Sequence, residues 1–294
     1  MSLPQSWIYP TEAGLYCAAG GFFIDPRHGV DRAVITHGHS DHARPGHGAL
    51  LATPETVEVL RVRLGPDGAG SMQALGLGEP LVIGDTVVTL RPAGHILGSA
   101  QVVVEHGSQR VVVSGDYKRL ADPTCEPFEV VACDVFVTEA TFALPVFRHE
   151  RPEDEIARLM ASVTANPQRA HLIGVYSLGK CQRLLMLLRG GGYDQPIYLH
   201  GALQGMTDVY RRLGFDFGEL RSATTAPPDE IARALVLCPP SALADRWSQR
   251  FDDPIRAVAS GWMRVRGQVR QRNIELPLVI SDHADWPELL DTIA

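Results

Sequence analysis

The sequence predicts an α/β fold whose organisation changes near residue 150. Before that point, short runs of β-branched residues alternate with turn residues, which is typical of a sheet-rich region. After it, helical periodicity and a repeated strand-then-helix pattern predict parallel strands joined by helices. The fold class is therefore α/β, with the sheet-rich part first.

Each predicted strand of the first part ends at a residue that can ligate a metal or move a proton. "DRAVIT" leads into the segment "VITHGHSDHARPGH", and "PLVIGDTVVTLRPAGH", two strands around a Gly-Asp turn, ends at His95. "SAQVVVEH" and "QRVVVSGD" predict a hairpin that ends at Asp116, and "CDVFVTEAT" predicts a buried strand that ends at Glu139. Layered sheets gather such side chains at one rim.

The second part contains predicted helices that alternate with strands. "RPEDEIARLMASVTANP" has acids in its first turn, and glycines close "SLGKCQRLLMLLRGGG". "PIYLHGALQGMTDVYRRLG" and "ALVLCPPSALADRW" each read as a strand followed by a helix. "LPLVISDHADWPELLDTI" predicts a last strand that leads to His283.

Composition excludes several classes of protein. Apolar residues make up 45% and charged residues 21% of the 294 residues, which is ordinary for a soluble globular protein. No apolar run approaches the ~20 residues of a membrane helix, and "MSLPQSWIYP" lacks a signal-peptide pattern, so we expect a cytoplasmic protein that does not contact a membrane. Five dispersed cysteines argue against a disulfide framework.

Four residues of the histidine-rich segment have the spacing H-x-H-x-D-H: His37, His39, Asp41 and His42. The two imidazoles that flank one residue after a strand can point the same way, and the next two ligands can serve a second ion. Imidazole with carboxylate suits Zn²⁺, Mn²⁺ or Fe²⁺. Two such ions about 3.5–4 Å apart can share a hydroxide that attacks phosphorus or a carbonyl carbon.

Such a centre needs further ligands from elsewhere in the sequence. His95 and Asp116, where strands end, are suitable. Asp25, also after a strand, is expected to orient a ligand histidine rather than to bind metal. His47 falls outside the spacing and is expected not to be a ligand.

The order H-x-H-x-D-H, then G-H, then S-G-D resembles the metallo-β-lactamase superfamily, whose fold is an αββα sandwich. "FVTEATF", "GVYSLGKCQRLL" and "ISDHAD" resemble its β-CASP nuclease branch, which inserts an extra domain. "SGWMRVRG", "SDHADWPELL" and "HGALQGM" are similar to bacterial DNA-ligase-associated exonucleases, relatives of the DNA-repair nucleases that include Artemis. The resemblance implies a sandwich core at 1–150, an inserted α/β β-CASP domain at 151–272 and a return to the core at 273–294.

The resemblance also implies roles for individual residues. One ion would be held by His37, His39 and His95, and the other by Asp41 and His42. The Asp116 carboxylate would lie between the two ions. The implied cofactors are two divalent ions, zinc or manganese or both.

The candidate catalytic residues are Asp41, Glu139 and His283. A scissile phosphodiester needs a proton for its leaving oxygen, and histidine titrates in the right range. His283 could instead ligate a metal. Many members of that family carry a further histidine or hydrophobic motif in a final strand-helix unit, whereas this sequence ends 11 residues after His283. Either the C-terminus is cut short or the final unit is absent, and the occupancy of the second ion site depends on which of the two holds.

Two segments are candidates for substrate binding. "YSLGK" places Ser177 and Lys180 at a strand-to-helix junction, where a phosphate seat or a plain helix cap with a surface lysine are both possible. "RAVASGWMRVRGQVRQR" contains five arginines and no acid, which is either a solvated basic face or a nucleic-acid surface that includes Arg264 and Arg266. Trp262 could stack on a base or pack in the core. The net charge of −7 is a weak guide to such local patches.

The function expected is that of a metal-dependent DNA exonuclease in DNA repair, associated with an ATP-dependent DNA ligase. Its partners would be single-stranded or end-containing DNA and, in the same pathway, a ligase and a helicase. The alternative is an RNA-processing nuclease of the same branch. A small-molecule hydrolase would need neither the insertion nor the arginines, and an inactive scaffold would normally have lost ligands.

Overall fold

The computed structural model describes residues 6–294, which form two compact units. Of the described residues, the first unit comprises 6–141 together with Glu288–Ala294, and the second comprises Phe142–Pro287. Within residues 6–294 there are 17 strands and seven α-helices.

The first sheet of the first unit has six strands in sequential order. Its first three strands are antiparallel, and β3 to β6 are parallel. The strands are β1 (Ile8–Thr11), β2 (Gly14–Cys17), β3 (Phe22–Ile24), β4 (Arg32–Val34), β5 (Ala49–Ala52) and β6 (Met72–Ala74). Helix α1 (Pro54–Leu64) follows β5, with Thr53 as its N-cap and proline at its first position.

The second sheet has five strands in the order β11-β10-β9-β8-β7, all antiparallel except the pair β10 and β11. They are β7 (Pro80–Ile83), β8 (Thr86–Pro92), β9 (Ala100–His106), β10 (Gln109–Val113) and β11 (Val135–Val137). The turns at Gly84 and Gly107 both have positive φ, as tight hairpins require. Both predicted hairpins are therefore confirmed, whereas β11 is half-buried rather than fully buried.

The two sheets face each other across an apolar core. Phe22, Val34 and Leu51 of the first sheet form one buried cluster with Val102 and Val111 of the second. Each such side chain stabilises the fold by about 1.5–3 kcal/mol on burial. The outer face of the first sheet packs on α1 in a separate cluster. The two sheets therefore pack against each other as two layers of one sandwich.

The second unit is built on a parallel sheet of six strands, in the order β14-β13-β15-β12-β16-β17. The strands are β12 (His171–Gly174), β13 (Ile197–Leu199), β14 (Leu220–Ser222), β15 (Leu235–Cys238), β16 (Ile255–Ala259) and β17 (Leu276–Leu278). The helices of this unit are α2 (Pro152–Ala165), α3 (Lys180–Gly190), α4 (Gly201–Arg212), α5 (Pro228–Ile231) and α6 (Arg266–Gln271). The last helix, α7 (Trp286–Ile293), belongs to the first unit from Glu288 onward. The parallel strands predicted for this part are confirmed.

One predicted helix has a different form. After β15 the chain makes short 3₁₀ turns at Pro240–Leu243 and Arg246–Arg250 instead of an α-helix. Two consecutive prolines begin this segment, and neither can donate a backbone hydrogen bond to a regular helix.

The bounds of the two compact units differ from the domain bounds that the resemblance implies. Residues 273–287 belong to the second unit because β17 pairs with β16 in its parallel sheet. The bounds 1–150, 151–272 and 273–294 stay a prediction. None of the helices within residues 6–294 has the length and apolar character needed to span a bilayer.

Candidate metal centre

Three loops of the first unit, each after a strand, carry the predicted metal ligands. His37 and His39 lie after β4, His95 after β8, and Asp116 after β10. One ligand atom from each of these four residues lies within 4.8 Å of the others. His37, His95 and Asp116 are buried, so competing water is largely excluded from the cluster.

The ligand atoms converge on one point. His39 Nδ1 lies 3.1 Å from His37 Nε2 and 3.1 Å from His95 Nε2. Asp116 Oδ2 lies 3.6 Å from His37 Nε2 and 3.8 Å from His95 Nε2. Four tetrahedral ligand atoms bound at about 2.0–2.1 Å to one zinc ion are about 3.3 Å apart, so the spacing fits a single divalent ion.

Hydrogen bonds fix which nitrogen of His37 faces this point. The Thr36 hydroxyl lies 2.6 Å from Asp25 Oδ2 and donates its hydrogen to that carboxylate. The same hydroxyl, 3.1 Å from His37 Nδ1, must then accept from that nitrogen. His37 Nε2 is left with a lone pair directed at His39 and Asp116, which a cation stabilises.

Asp25 also holds His42, as the sequence predicted for an orienting carboxylate. Its Oδ2 accepts from His42 Nδ1 at 2.7 Å, while its Oδ1 accepts from the Thr36 backbone N–H at 2.8 Å. His42 Nε2 is therefore directed to the other side, 3.4 Å from Asp116 Oδ2. One carboxylate thus orients ligands of both predicted ions.

The charges around His42 strongly favour its protonated form in the metal-free protein. Burial by itself lowers the pKa of His42, but hydrogen bonds and charges from Asp116 and Asp25 outweigh burial and raise the pKa to about 11. The site therefore attracts positive charge, and a metal ion there replaces a proton.

Asp41, the remaining predicted ligand, lies at the exposed side of the cluster. Its side chain is 73% exposed, and its Oδ2 lies 4.0 Å from His42 Nε2. The ligands assigned to the second ion are thus more open to solvent than those assigned to the first.

Gly115 allows the chain to turn just before Asp116. Its φ is +56°, a left-handed conformation that favours glycine. A Cβ atom here would lie 2.6 Å from Cβ and from Oγ1 of Thr36. The close approach of β10 to the Thr36 segment depends on this glycine.

Glu139 binds the residue that follows Asp116. Its Oε1 accepts from the Tyr117 backbone N–H at 2.7 Å, and its own N–H donates to Ser114 Oγ at 3.3 Å. Glu288 of the C-terminal segment binds the chain just beyond, with Lys118 Nζ at 2.7 Å and the Leu120 N–H at 2.8 Å. The loop that carries Asp116 is therefore held by carboxylates.

His283, Ser177 and Lys180 all lie in the second unit. Lys180 is only 3% exposed; its ammonium binds the Asp282 carboxylate and lies 3.4 Å from the Ile280 carbonyl oxygen. His283 Nε2 is 3.8 Å from Asp282 Oδ1. In this structure Lys180 thus holds the residue beside His283, and its charge is neutralised there.

Ser177 is half-buried in the loop between β12 and α3, as predicted from the sequence. The first amide of this junction, at Gly179, already donates to Gln182 Oε1 at 2.9 Å. A phosphate at this loop would therefore meet fewer free amides than the predicted seat offers.

The predicted nucleic-acid residues near α6 differ from one another. Arg264 forms an ion pair with Glu150, whereas Arg266 is exposed. Trp262 is 44% exposed, with its ring centroid 5.1 Å from that of Phe142 and 5.3 Å from that of Phe147. Trp262 thus packs against aromatic side chains on one side, and stacking on a base stays a prediction.

Sequence reasoning missed Thr36 and Asp282 as supporting residues. Thr36 directly precedes the first ligand histidine, and Asp282 directly precedes His283, so adjacency to a predicted site residue was the available signal. His47 lies apart, with its Nδ1 accepting from the Val30 N–H at 3.3 Å, and His200 caps α4 through the Ala202 N–H at 3.0 Å.

No family model matches the chain, but comparisons with known proteins find similar sequences among proteins named for action on nucleic acids. A probable DNA ligase of Opitutus terrae is 30% identical over 288 residues, which is 97% of this chain and 28% of that protein. Ribonuclease TTHA0252 of Thermus thermophilus is 29% identical over 234 residues, 67% of this chain and 52% of that protein. Transcription termination factor FttA of Pyrococcus horikoshii is 27% identical over 226 residues, 62% of this chain and 34% of that protein.

The chain thus spans about half or less of the length of these curated relatives. Among solved structures, a protein of unknown function from Enterococcus faecalis matches with a TM-score of 0.55 and 15% identity, over 89% of this chain and 72% of that one. The fold is an α/β metallo-β-lactamase fold, so the predicted fold class is confirmed. The relatives support the β-CASP metallo-β-lactamase family that the motifs indicate.

Proposed function

We propose that this chain is a metal-dependent DNA exonuclease of the β-CASP branch, which hydrolyses phosphodiester bonds in DNA repair beside an ATP-dependent DNA ligase. The observation that carries the proposal is the convergence of His37, His39, His95 and Asp116 in a buried cluster with metal-ligand spacing. A cluster of three imidazoles and one carboxylate suits a hydrolytic zinc or manganese ion.

Two ions would be held in this centre. His37, His39 and His95 would hold the first, Asp41 and His42 would hold the second, and Asp116 would be shared between them. Bound divalent ions act as Lewis acids toward a phosphate ester and lower the pKa of water to near neutrality.

The residues of the chain itself would orient and protonate. Asp25 fixes the tautomers of His37 and His42, so that both present a lone pair to the centre. Glu139 holds the chain next to Asp116 through the Tyr117 N–H.

His283 would donate a proton to the leaving oxygen, the role that the resemblance implies, while metal ligation remains its alternative. Lys180, which neutralises Asp282, would keep that carboxylate ionised beside His283.

The ligase association is supported by the Opitutus relative. Nearly all of this chain matches a 28% portion of a protein named a probable DNA ligase. A module of this type joined to a ligase in one polypeptide would prepare the DNA ends that the ligase seals, and a helicase of the same pathway would supply unwound strands.

RNA processing is the second candidate, and a specific observation favours it. Relatives that match 67% and 61% of this chain are named a ribonuclease and an endoribonuclease. The ligand set would be the same, because both reactions attack a phosphodiester, and only contacts to the 2′-hydroxyl distinguish the substrates.

The experiment uses end-labelled single- and double-stranded DNA and an RNA of matched sequence, each with Mn²⁺, Zn²⁺ or a chelator. We expect metal-dependent shortening of DNA from one end, which Asp41→Ala and Asp116→Asn abolish and the exposed-residue control Asp67→Asn retains. Faster cleavage of the RNA would favour the second candidate. The absence of metal-dependent cleavage of either substrate, or full activity of Asp116→Asn, would refute the proposal.

A further inference from the structure

A large cavity with a mixed polar and apolar lining lies on the sheet of the second unit and is made wholly of residues of that unit. Its volume is about 1000 Å³, and its walls are β16, the end of α6 and the 3₁₀ turns that follow β15. This volume is at the upper end of those that hold small-molecule ligands. No residue of the candidate metal centre contributes to its walls.

Arg256 of β16 lines this cavity, and its side chain makes no hydrogen bond to another residue of the 6–294 range. Its Nε is buried without a hydrogen bond, and among residues 6–294 no carboxylate forms an ion pair with it. A buried donor left unsatisfied costs about 1–3 kcal/mol. Arg272, an exposed residue of the same lining, likewise forms no ion pair in the described part of the chain.

The acidic residues nearby do not neutralise these arginines. Asp253 and Glu275, at the adjoining smaller cavity, both bind Arg169 at 3.0 and 2.8 Å. Asp245, the acid on the wall of the large cavity, has one oxygen 2.5 Å from the Trp247 N–H. Two arginines against one aspartate leave the cavity positive, as an anion requires.

Four carboxamide side chains also line the cavity. Gln249, Gln268, Gln271 and Asn273 line the cavity, and their side chains make no hydrogen bond to other residues of the 6–294 range. An unpaired carboxamide offers a donor and an acceptor together, the pattern that recognises the edge of a nucleobase. Tyr176, 57% exposed at the rim, offers a ring on which a base can stack.

From these features we infer that the cavity binds a nucleoside phosphate, with the phosphate on Arg256 and Arg272 and the base against the carboxamides and Tyr176. The choice of a nucleotide among phosphate esters rests on the nuclease function proposed above. The positive charge and the free carboxamides are observations that do not depend on that function. The phosphate could belong to a free mononucleotide or to the end of a strand, because both present the same group.

The test measures binding calorimetrically to the full chain in the presence of a chelator, so that no substrate is cleaved. The probes are adenosine 5′-monophosphate, a 5′-phosphorylated oligodeoxyadenylate, adenosine and inorganic phosphate. We expect Arg256→Gln and Arg272→Gln each to weaken binding of the phosphorylated probes by about tenfold or more. Arg212→Gln, which alters an exposed arginine of α4, serves as the matched control and should bind like the wild type.

Tighter binding of the mononucleotide than of the oligonucleotide assigns the cavity to a free nucleotide, and the reverse order assigns it to a strand end; either supports the inference. Unchanged affinity in both arginine variants, or inorganic phosphate bound as tightly as the nucleotides, overturns it. Because Arg272 is exposed, its variant keeps the test valid even if Arg256→Gln unfolds. Absence of nucleotide binding by the wild-type chain with intact cleavage would remove only this inference, whereas nucleotide binding without cleavage would remove only the proposed nuclease.

Discussion

Asp25→Asn is expected to remove the metal-ligating form of His42 while leaving the size of the side chain unchanged. Oδ1 must remain an oxygen because it accepts the Thr36 backbone N–H. The new NH₂ group would then take the place of Oδ2, opposite His42 Nδ1, which now donates to it. His42 must change tautomer to accept, and its Nε2 then carries a hydrogen where a metal ion is needed.

The size of the effect follows from the hydrogen bonds that the substitution disrupts. Of the three that Asp25 accepts, the two at Oδ2 are broken. Loss of an orienting partner of a metal ligand lowers metal affinity by about 10–100-fold. That range corresponds to about 1.4–2.8 kcal/mol of binding free energy. Asp25 has a φ of +44°, which asparagine also tolerates, so the backbone should not change.

The assay is competition for Zn²⁺ or Mn²⁺ between the protein and a chromophoric chelator, with the number of bound ions measured separately. Asp67→Asn, which makes the same chemical change on an exposed loop, is the control. We expect Asp25→Asn to bind the second equivalent of metal at least tenfold more weakly than the control. Equal affinities for both equivalents would show that the carboxylate does not set the tautomer of His42, and the assigned orientation of the ligands would be wrong.

Three further predictions concern stability. Gly115→Ala should lower the free energy of unfolding by more than the roughly 1–2 kcal/mol of left-handed strain alone. Gly107→Ala, at a similar φ with open space around it, should lower it by that strain only. Equal losses of unfolding free energy in denaturant titrations would contradict the clash with Thr36. Lys180→Met should cost about 3–5 kcal/mol because Asp282 is left buried and charged, and adding Asp282→Asn should restore much of the loss; an unchanged unfolding midpoint for the single variant would refute this. Burial lowers the pKa of His171, so the unfolded chain binds more protons than the folded one. The free energy of unfolding should therefore fall as the pH drops below about 6.5. His171→Asn should flatten this pH dependence in thermal melts, and an unaltered slope would exclude His171 as its source.

The convergence of His37, His39, His95 and Asp116 was predictable because local spacing and strand ends determine where these side chains meet. The segment from His37 to His42 is contiguous, and His95 and Asp116 each follow a β-branched run that could only be a buried strand. Strands that run in the same direction end at the same rim of a sheet, and β8 and β10 do so because both are antiparallel to β9.

What could not be predicted depends on contacts between residues distant in sequence. The pairing of Lys180 with Asp282 brings together positions 102 residues apart, and no local pattern signals it. The cavity around Arg256 is another case, because its carboxamides come from separate turns and a short helix. The replacement of a predicted helix by 3₁₀ turns after β15 was in principle readable from the two prolines.

Asp25 also makes the two predicted ion positions energetically dependent on each other. Its Oδ2 receives Thr36, which orients His37, and at the same time His42. Binding of the first ion would fix the Asp25 side chain, and the second ion would then not have to meet that entropy cost again. The two ions should therefore bind with positive cooperativity. By the reciprocity of linked equilibria, loss of the exposed ion would loosen the buried one by the same factor.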